Sequence, residues 1–162
     1  MNEKTNVMRI LEQKKIAYKA HYYSEDLGPE GTNEYGVHVA KALGQDPKRC
    51  FKTLVARGLS KQLYCFEIPT PSSLDLKAAA KAVGEKSIEL LHVAEINTVT
   101  GYIRGGCSPI GLKRQLKIIF HESLNNYETI YISGGKIGAQ VEVAPADLIR
   151  LTQAKTAAIT AK

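Results

Sequence analysis

Residues 101–111 read Gly-Tyr-Ile-Arg-Gly-Gly-Cys-Ser-Pro-Ile-Gly, so four of eleven positions carry no side chain and a fifth is proline. Glycine opens positive φ and lets other atoms approach bare backbone, while Pro109 fixes φ near about −65° and gives up its N–H. The stretch is expected to be a rigid loop that presents backbone amides. Convergent N–H groups suit a carbonyl oxygen or a phosphate, which makes the loop a candidate oxyanion or anion cradle. A plain turn between strands meets the same composition, and the loop alone leaves both roles open.

At 162 residues the chain is long enough for one real core and too short for two, so residues 1–162 are read as a single domain. No apolar run approaches the roughly 18 residues of a membrane span, and Met1-Asn2-Glu3-Lys4 begins no signal-peptide core. Cys50, Cys65 and Cys107 are widely spaced and form no CxxC pair, the pattern of reduced thiols in a cytoplasm. His21, His38, His92 and His121 form no HExxH and share no ligand spacing with the cysteines, so neither a metal nor another cofactor is expected. The 22 basic residues against 16 acidic ones leave a net charge of +6, which favours a polyanionic partner. No RNP, KH, zinc-finger or helix-turn-helix pattern accompanies that charge.

In chain order, Val7, Ile10 and Leu11 sit at helical spacing within residues 3–14, and residues 16–23 alternate as a strand ending in Tyr22-Tyr23. Alternation sends those two rings to opposite faces, one packing inward and one free to line a cleft. Residues 24–33 are rich in turn formers and are expected as a surface loop before a helix from Glu34 to Leu43, with His38 an ordinary half-exposed helical residue. Residues 50–57 and 62–68 read as a hairpin joined by Gly58-Leu59-Ser60-Lys61; Lys52, early in a largely buried strand, is read first as a snorkelling side chain. Ser72 or Ser73 is expected to cap a helix over 74–83, followed by a short strand at 87–91 and a helical turn from His92 to Asn97. Beyond the glycine loop, Lys113, Arg114 and Lys117 make a cationic run, the mark of phosphate binding or of a solvated face. Strands are expected at 118–121, 129–133 and 139–143, the last two joined at Gly134-Gly135-Lys136, then a helix from Pro145 and a small-residue tail that frays. Hairpin-linked short strands interrupted by helices predict an α+β domain around a mixed, mostly antiparallel, barrel-like sheet.

Six blocks in order carry a likeness to a known family: Phe51-Lys52-Thr53-Leu54, Leu74-Asp75-Leu76-Lys77, Thr100-Gly101-Tyr102, Gly105 to Gly111, Glu128 to Gly135, and Ala144-Pro145-Ala146-Asp147-Leu148. Over nearly its whole length the chain resembles the YbaK/EbsC family of aminoacyl-tRNA deacylases, related to the editing insertion domain of bacterial prolyl-tRNA synthetases. The resemblance implies removal of cysteine from mischarged proline tRNA. It makes Lys52 the residue that engages the terminal nucleotide of the acceptor end, in place of the snorkelling reading. Gly105 to Pro109 matches the family's GxxxP loop, implying Gly105 and Gly106 as the amides facing the ester carbonyl, with Ser108 and Pro109 beside the substrate. Tyr23, Tyr35, Thr53 and Ser133 fall where the family's pocket wall lies. The chain departs from the family pattern at His38-Val39-Ala40, Arg104 and Cys107, and Cys107, without a paired histidine in sequence, is read as a packing residue.

Cleaving an activated ester requires holding the acceptor nucleotide and stabilising the developing oxyanion. In the scheme the resemblance implies, the substrate's own thiol attacks its carbonyl, so no Ser/His/Asp set is needed. A deacylase for alanine or serine esters, a non-catalytic tRNA-binding module, and a small-molecule pocket protein using the cleft for a nucleotide-like ligand are the alternatives. The implied partners are the acceptor end of mischarged tRNA and prolyl-tRNA synthetase in a ternary complex.

Overall fold

The computed structural model describes residues 4–24 and 35–162; the loop expected over 24–33 lies, from residue 25 onward, outside them, as does Glu34. Helix α1 (Asn6–Gln13) starts where Thr5 accepts a hydrogen bond from the Met8 N–H, and its Val7, Met8 and Leu11 face is buried as the spacing predicts. Strand β1 (Tyr18–Tyr22) follows, then helix α2 (Tyr35–Ala42). Strands β2 (Phe51–Gly58) and β3 (Leu63–Pro69) form the expected antiparallel hairpin, in a register that sets Lys52 opposite Ile68 and Thr53 opposite Glu67.

Helix α3 (Leu76–Val83) is capped by Asp75, whose carboxylate accepts from the Ala78 N–H, and not by Ser72 or Ser73. The helix starts late because Leu74 is held extended in a bridge to Thr160 of the C-terminal segment, with the Asp75 N–H donating to the Ile159 carbonyl. After β4 (Ile88–Leu90), the turn expected at His92 to Asn97 is a full helix α4 (Val93–Thr100), stopped at Gly101 with φ +82°. Then come β5 (Lys117–His121), β6 (Ile130–Ser133), β7 (Ala139–Val143), α5 (Pro145–Thr152) and β8 (Lys155–Ala157).

The strands lie in two sheets, β1-β7-β6 and β4-β2-β3-β5-β8. A bridge between Cys50 and Tyr131 joins the edge of β6 to the start of β2, which curls the two sheets around a shared core. Pairing is antiparallel except where β5 meets β3 and β8, as expected of the mixed, mostly antiparallel, barrel-like α+β fold. Phe51, Val55, Cys65 and Phe120 face that core, while Phe66, Ile68 and Ile119 face α3 through Ala79 and Ala80. Strand β3 is thus buried on both faces, which is why it reads as a nearly continuous apolar run.

The C-terminal segment does not fray as its composition suggests. Lys155–Ala157 pairs in parallel with β5, Thr160 bridges to Leu74, and Ile159 is fully buried in the layer under α3. Backbone pairing with β5 and one isoleucine outweigh a run of alanines and threonines.

Candidate active-site cleft

The cleft opens where the first residues of β2, the end of β3, the β6–β7 hairpin and the glycine loop converge. It encloses about 180 Å³, small beside the ~300–1,000 Å³ of sites for drug-sized ligands. Tyr23, Tyr35, Lys52, Thr53, Gly105 and Ser133, from five separate stretches of chain, all line it. Tyr22 packs against the core with its hydroxyl toward Met8 Sδ at 3.7 Å, and Tyr23 faces the cleft, the division that alternation predicts. The Tyr35 hydroxyl donates to that of Tyr23 at 3.2 Å, with the rings edge to face, so two stretches well apart in sequence form one wall.

Lys52 is half-buried, and no carboxylate lies within ion-pair distance of it among the described residues. Burial lowers its pKa from the usual lysine value. A cation drawn partly out of water without a counter-ion creates an unmet demand for negative charge in the cleft.

The glycine loop is braced from within. The Lys113 N–H donates to the Thr100 carbonyl at 2.9 Å, closing the loop at its base, and the Tyr102 hydroxyl donates to the Ile110 carbonyl. Gly105 adopts φ +91°, a conformation that costs an ordinary side chain strain. Gly106 is needed for close approach: a Cβ there would stand 3.0 Å from Lys136 Cα and 3.1 Å from the Ile137 nitrogen.

The Gly106 amide is not available to a ligand, because it donates to the Ile103 carbonyl at 3.0 Å. Gly106 acts instead through its carbonyl, which accepts from the Ser133 hydroxyl at 3.0 Å, while Ser133 Oγ itself accepts from the Gly135 N–H at 3.1 Å. Ser133 therefore fastens the loop to the β6–β7 hairpin. The N–H groups of Gly105 and Cys107, both residues of the cleft wall, meet no acceptor among the described residues. The loop N–H groups left without an acceptor are thus those of Gly105 and Cys107, not those of Gly105 and Gly106.

Two residues expected beside the substrate lie elsewhere. Ser108 is fully buried, with its Oγ accepting from the Ile110 N–H at 3.2 Å, and Pro109 faces a second cavity beyond the loop. Both serve the loop's shape. Cys107 touches the cleft but is buried, and burial pushes its thiol up to about 12, so it is protonated at neutral pH and makes a poor nucleophile.

Sequence reasoning missed what lies behind the wall. Thr53 Oγ1 is buried without a hydrogen-bond partner among the described residues, and so is Oε1 of Glu67, directly opposite it on β3. Glu67 is fully buried, and its other oxygen accepts from the Cys65 thiol at 3.3 Å. Burial pushes this carboxyl up to about 8, with the nearby Thr53 hydroxyl and Cys65 thiol pulling the other way. A lone acid within Tyr-Cys-Phe-Glu-Ile was the available signal. Gly36 was missed for a different reason: its bare Cα sits against Thr70, whose Cγ2 would lie 2.5 Å from an added Cβ, a contact only tertiary structure creates.

Lys52 and the N–H groups of Gly105 and Cys107 thus share one small cleft. The chain belongs to the aminoacyl-tRNA editing domain family, whose model matches residues 32–151. It is 44% identical, over 99% of its length and 95% of the relative's, to a protein of Enterococcus faecalis provisionally named Cys-tRNA(Pro)/Cys-tRNA(Cys) deacylase EbsC. Over 117 residues, 72% of this chain and 74% of the relative, it is 25% identical to the protein YwhH of Bacillus subtilis. Among solved structures it superposes with a TM-score of 0.82 on one provisionally described as a trans-editing enzyme for prolyl-tRNA synthetase, at 25% identity and covering 96% and 95% of the two chains.

Proposed function

We propose that this enzyme deacylates proline tRNA mischarged with cysteine, acting in trans and in the cytoplasm, where charged tRNA is used. The observation that carries the reading is the meeting in one cleft of Lys52 and the Gly105 and Cys107 amides, which have neither a counter-ion nor an acceptor among the described residues. Lys52 engages the phosphate and ribose of the terminal nucleotide. The two amides polarise the ester carbonyl and stabilise the oxyanion as it forms. Tyr23, Tyr35 and Thr53 bound the space for the aminoacyl side chain, and Ser133 keeps the loop in place.

The substrate's thiol attacks its own carbonyl carbon, a C–S bond forms, the ester C–O bond breaks, and the thiol proton leaves with the 3′ oxygen of the tRNA. The product is a cyclic thiolactone and free tRNA, so no protein nucleophile is required. Selection is then chemical, since a small apolar pocket by itself separates side chains differing by one group only about 10- to 200-fold. The naming of the Enterococcus faecalis relative supports the substrate. Prolyl-tRNA synthetase, the source of the mischarged tRNA, completes a ternary complex with it.

The test is deacylation of proline tRNA charged with cysteine, alanine or proline, by the wild type and by Lys52→Ala. The expected result is turnover of the cysteinyl ester and a loss of at least about 100-fold in kcat/KM in a variant that keeps its fold. Equal rates on cysteinyl and alaninyl esters exclude the thiol route, and an unchanged Lys52→Ala excludes the role of the lysine.

A further inference from the structure

The glycine loop has two sides. Gly105 and Cys107 face the cleft, whereas Pro109, Ile110 and Gly111 face a second cavity of about 1010 Å³. Cys107 and Pro109 are two residues apart, so the wall between the cavities is no more than about 7 Å of chain. That wall is stiff, because the Tyr102 hydroxyl holds the Ile110 carbonyl and Gly111, at φ +75°, packs against Tyr102 and Ile10.

Lys113, Arg114, Lys117 and Lys155 line this groove, and no aspartate or glutamate does. All four are exposed, and none forms an ion pair among the described residues. The carboxylate whose charge reaches Lys117 is Glu85, whose Oε2 accepts from the hydroxyls of Ser60 and Tyr64 and whose Oε1 accepts from the Ser60 N–H. Lys117 and Lys155 begin neighbouring parallel strands, with Ile119 opposite Lys155. An offset of two residues across one strand spacing separates their Cα atoms by about 8 Å. The four charges therefore form a compact, one-signed strip in a chain whose net charge is only +6.

We infer that this groove is the docking surface for the acceptor stem of the tRNA whose 3′ end enters the cleft, with Lys113, Arg114, Lys117 and Lys155 on its phosphates. The inference rests on the deacylase reading and adds where the rest of the substrate lies. An acceptor stem is a regular polyanion, and a duplex RNA is held chiefly through its phosphates and 2′-hydroxyls. Its phosphates complement a groove with no acid in its lining, and the loop that lines the cleft also lines the groove. Lysine stems lying over the apolar floor of the groove keep the ammonium groups at its rim.

The experiment compares the full-length wild type with a variant carrying Lys113→Gln, Arg114→Gln, Lys117→Gln and Lys155→Gln. The probe is uncharged proline tRNA, with Kd measured from 50 to 200 mM salt. Each phosphate contact to a duplex contributes about 0.9 to the log–log salt slope, so losing four flattens it by about 3 to 4. Over that range those contacts account for about a 100-fold change in affinity, which the variant no longer shows. On cysteinyl-tRNA the variant loses kcat/KM in the same proportion, while its rate on a cysteinyl ester of adenosine alone is unchanged. Lys77→Gln, which removes a charge on α3 outside both cavities, leaves the slope as in the wild type. Thermal melting of each variant separates lost contacts from lost fold.

An unaltered salt slope in the folded quadruple variant overturns the inference even where deacylation is normal. So does an unaltered slope with lost binding to purified prolyl-tRNA synthetase, which assigns the groove to a protein partner. If the wild type deacylates no charged tRNA, the proposed function falls, and the slope measured with uncharged tRNA still decides the groove.

Discussion

Glu67 offers a quantitative test of the buried layer behind the cleft. In the unfolded chain its carboxyl ionises near 4.5, whereas in the folded protein burial holds it to about 8. A raised acid pKa makes the folded state keep a proton that the unfolded state releases. Its full contribution to stability is present below about pH 4.5 and is lost progressively as pH rises to about 8. The loss runs at about 1.4 kcal/mol per pH unit, so by pH 7 the wild type forfeits roughly 3 kcal/mol.

Glu67→Gln removes the ionisation and keeps the shape. Its amide oxygen accepts from the Cys65 thiol as Glu67 Oε2 now does, and its NH2 group faces Thr53 Oγ1, which at present has no partner. The variant is expected to match the wild type near pH 4.5 and to exceed it by roughly 3 kcal/mol at pH 7. The assay is urea unfolding of both proteins at pH 5, 6, 7 and 8, with stability compared at equal m. His121, whose pKa burial lowers, contributes an opposite slope, but it is common to both proteins and cancels in the difference. A difference that stays constant from pH 5 to pH 8 refutes the reasoning, since it leaves Glu67 ionising alike in both states.

Ile159→Ala is expected to destabilise the fold by about 2–5 kcal/mol in denaturant titration, because Ile159 is fully buried under α3; a loss within about 0.5 kcal/mol means that the C-terminal segment is dispensable. Gly106→Ala pushes a methyl against the backbone of Lys136 and Ile137 and is expected to cost about 1–3 kcal/mol while lowering deacylation, both read on one protein preparation. Cys107→Ala keeps the backbone amide and is expected to hold activity within about tenfold, and the native thiol should resist iodoacetamide at pH 7, its pKa being pushed up to about 12; rapid alkylation coupled to inactivation contradicts this.

Local chemistry was legible along the chain. The Thr5-capped helix, the β2–β3 hairpin and the β6–β7 pair all follow from periodicity and turn residues, which act between neighbours in sequence. The glycine loop was legible for the same reason: positive φ at Gly101, Gly105 and Gly111 is a demand the backbone places on its own residues. Lys52 was conspicuous because a charge in an apolar strand violates the local pattern.

What only the tertiary structure decided were contacts between distant segments. Whether an amide of the loop is open or taken by a neighbour is a matter of a few ångströms: the Gly106 N–H is held by the Ile103 carbonyl, and those of Gly105 and Cys107 meet no acceptor among the described residues. Ser108 and Pro109 turned away from the cleft because the loop has two faces and sequence adjacency does not say which one a residue takes. The last strand escaped notice because its stability comes from pairing with β5, whose hydrogen bonds are made by main chain and leave no mark on composition. Sequence determines which conformations each segment prefers, and packing determines which of their surfaces meet.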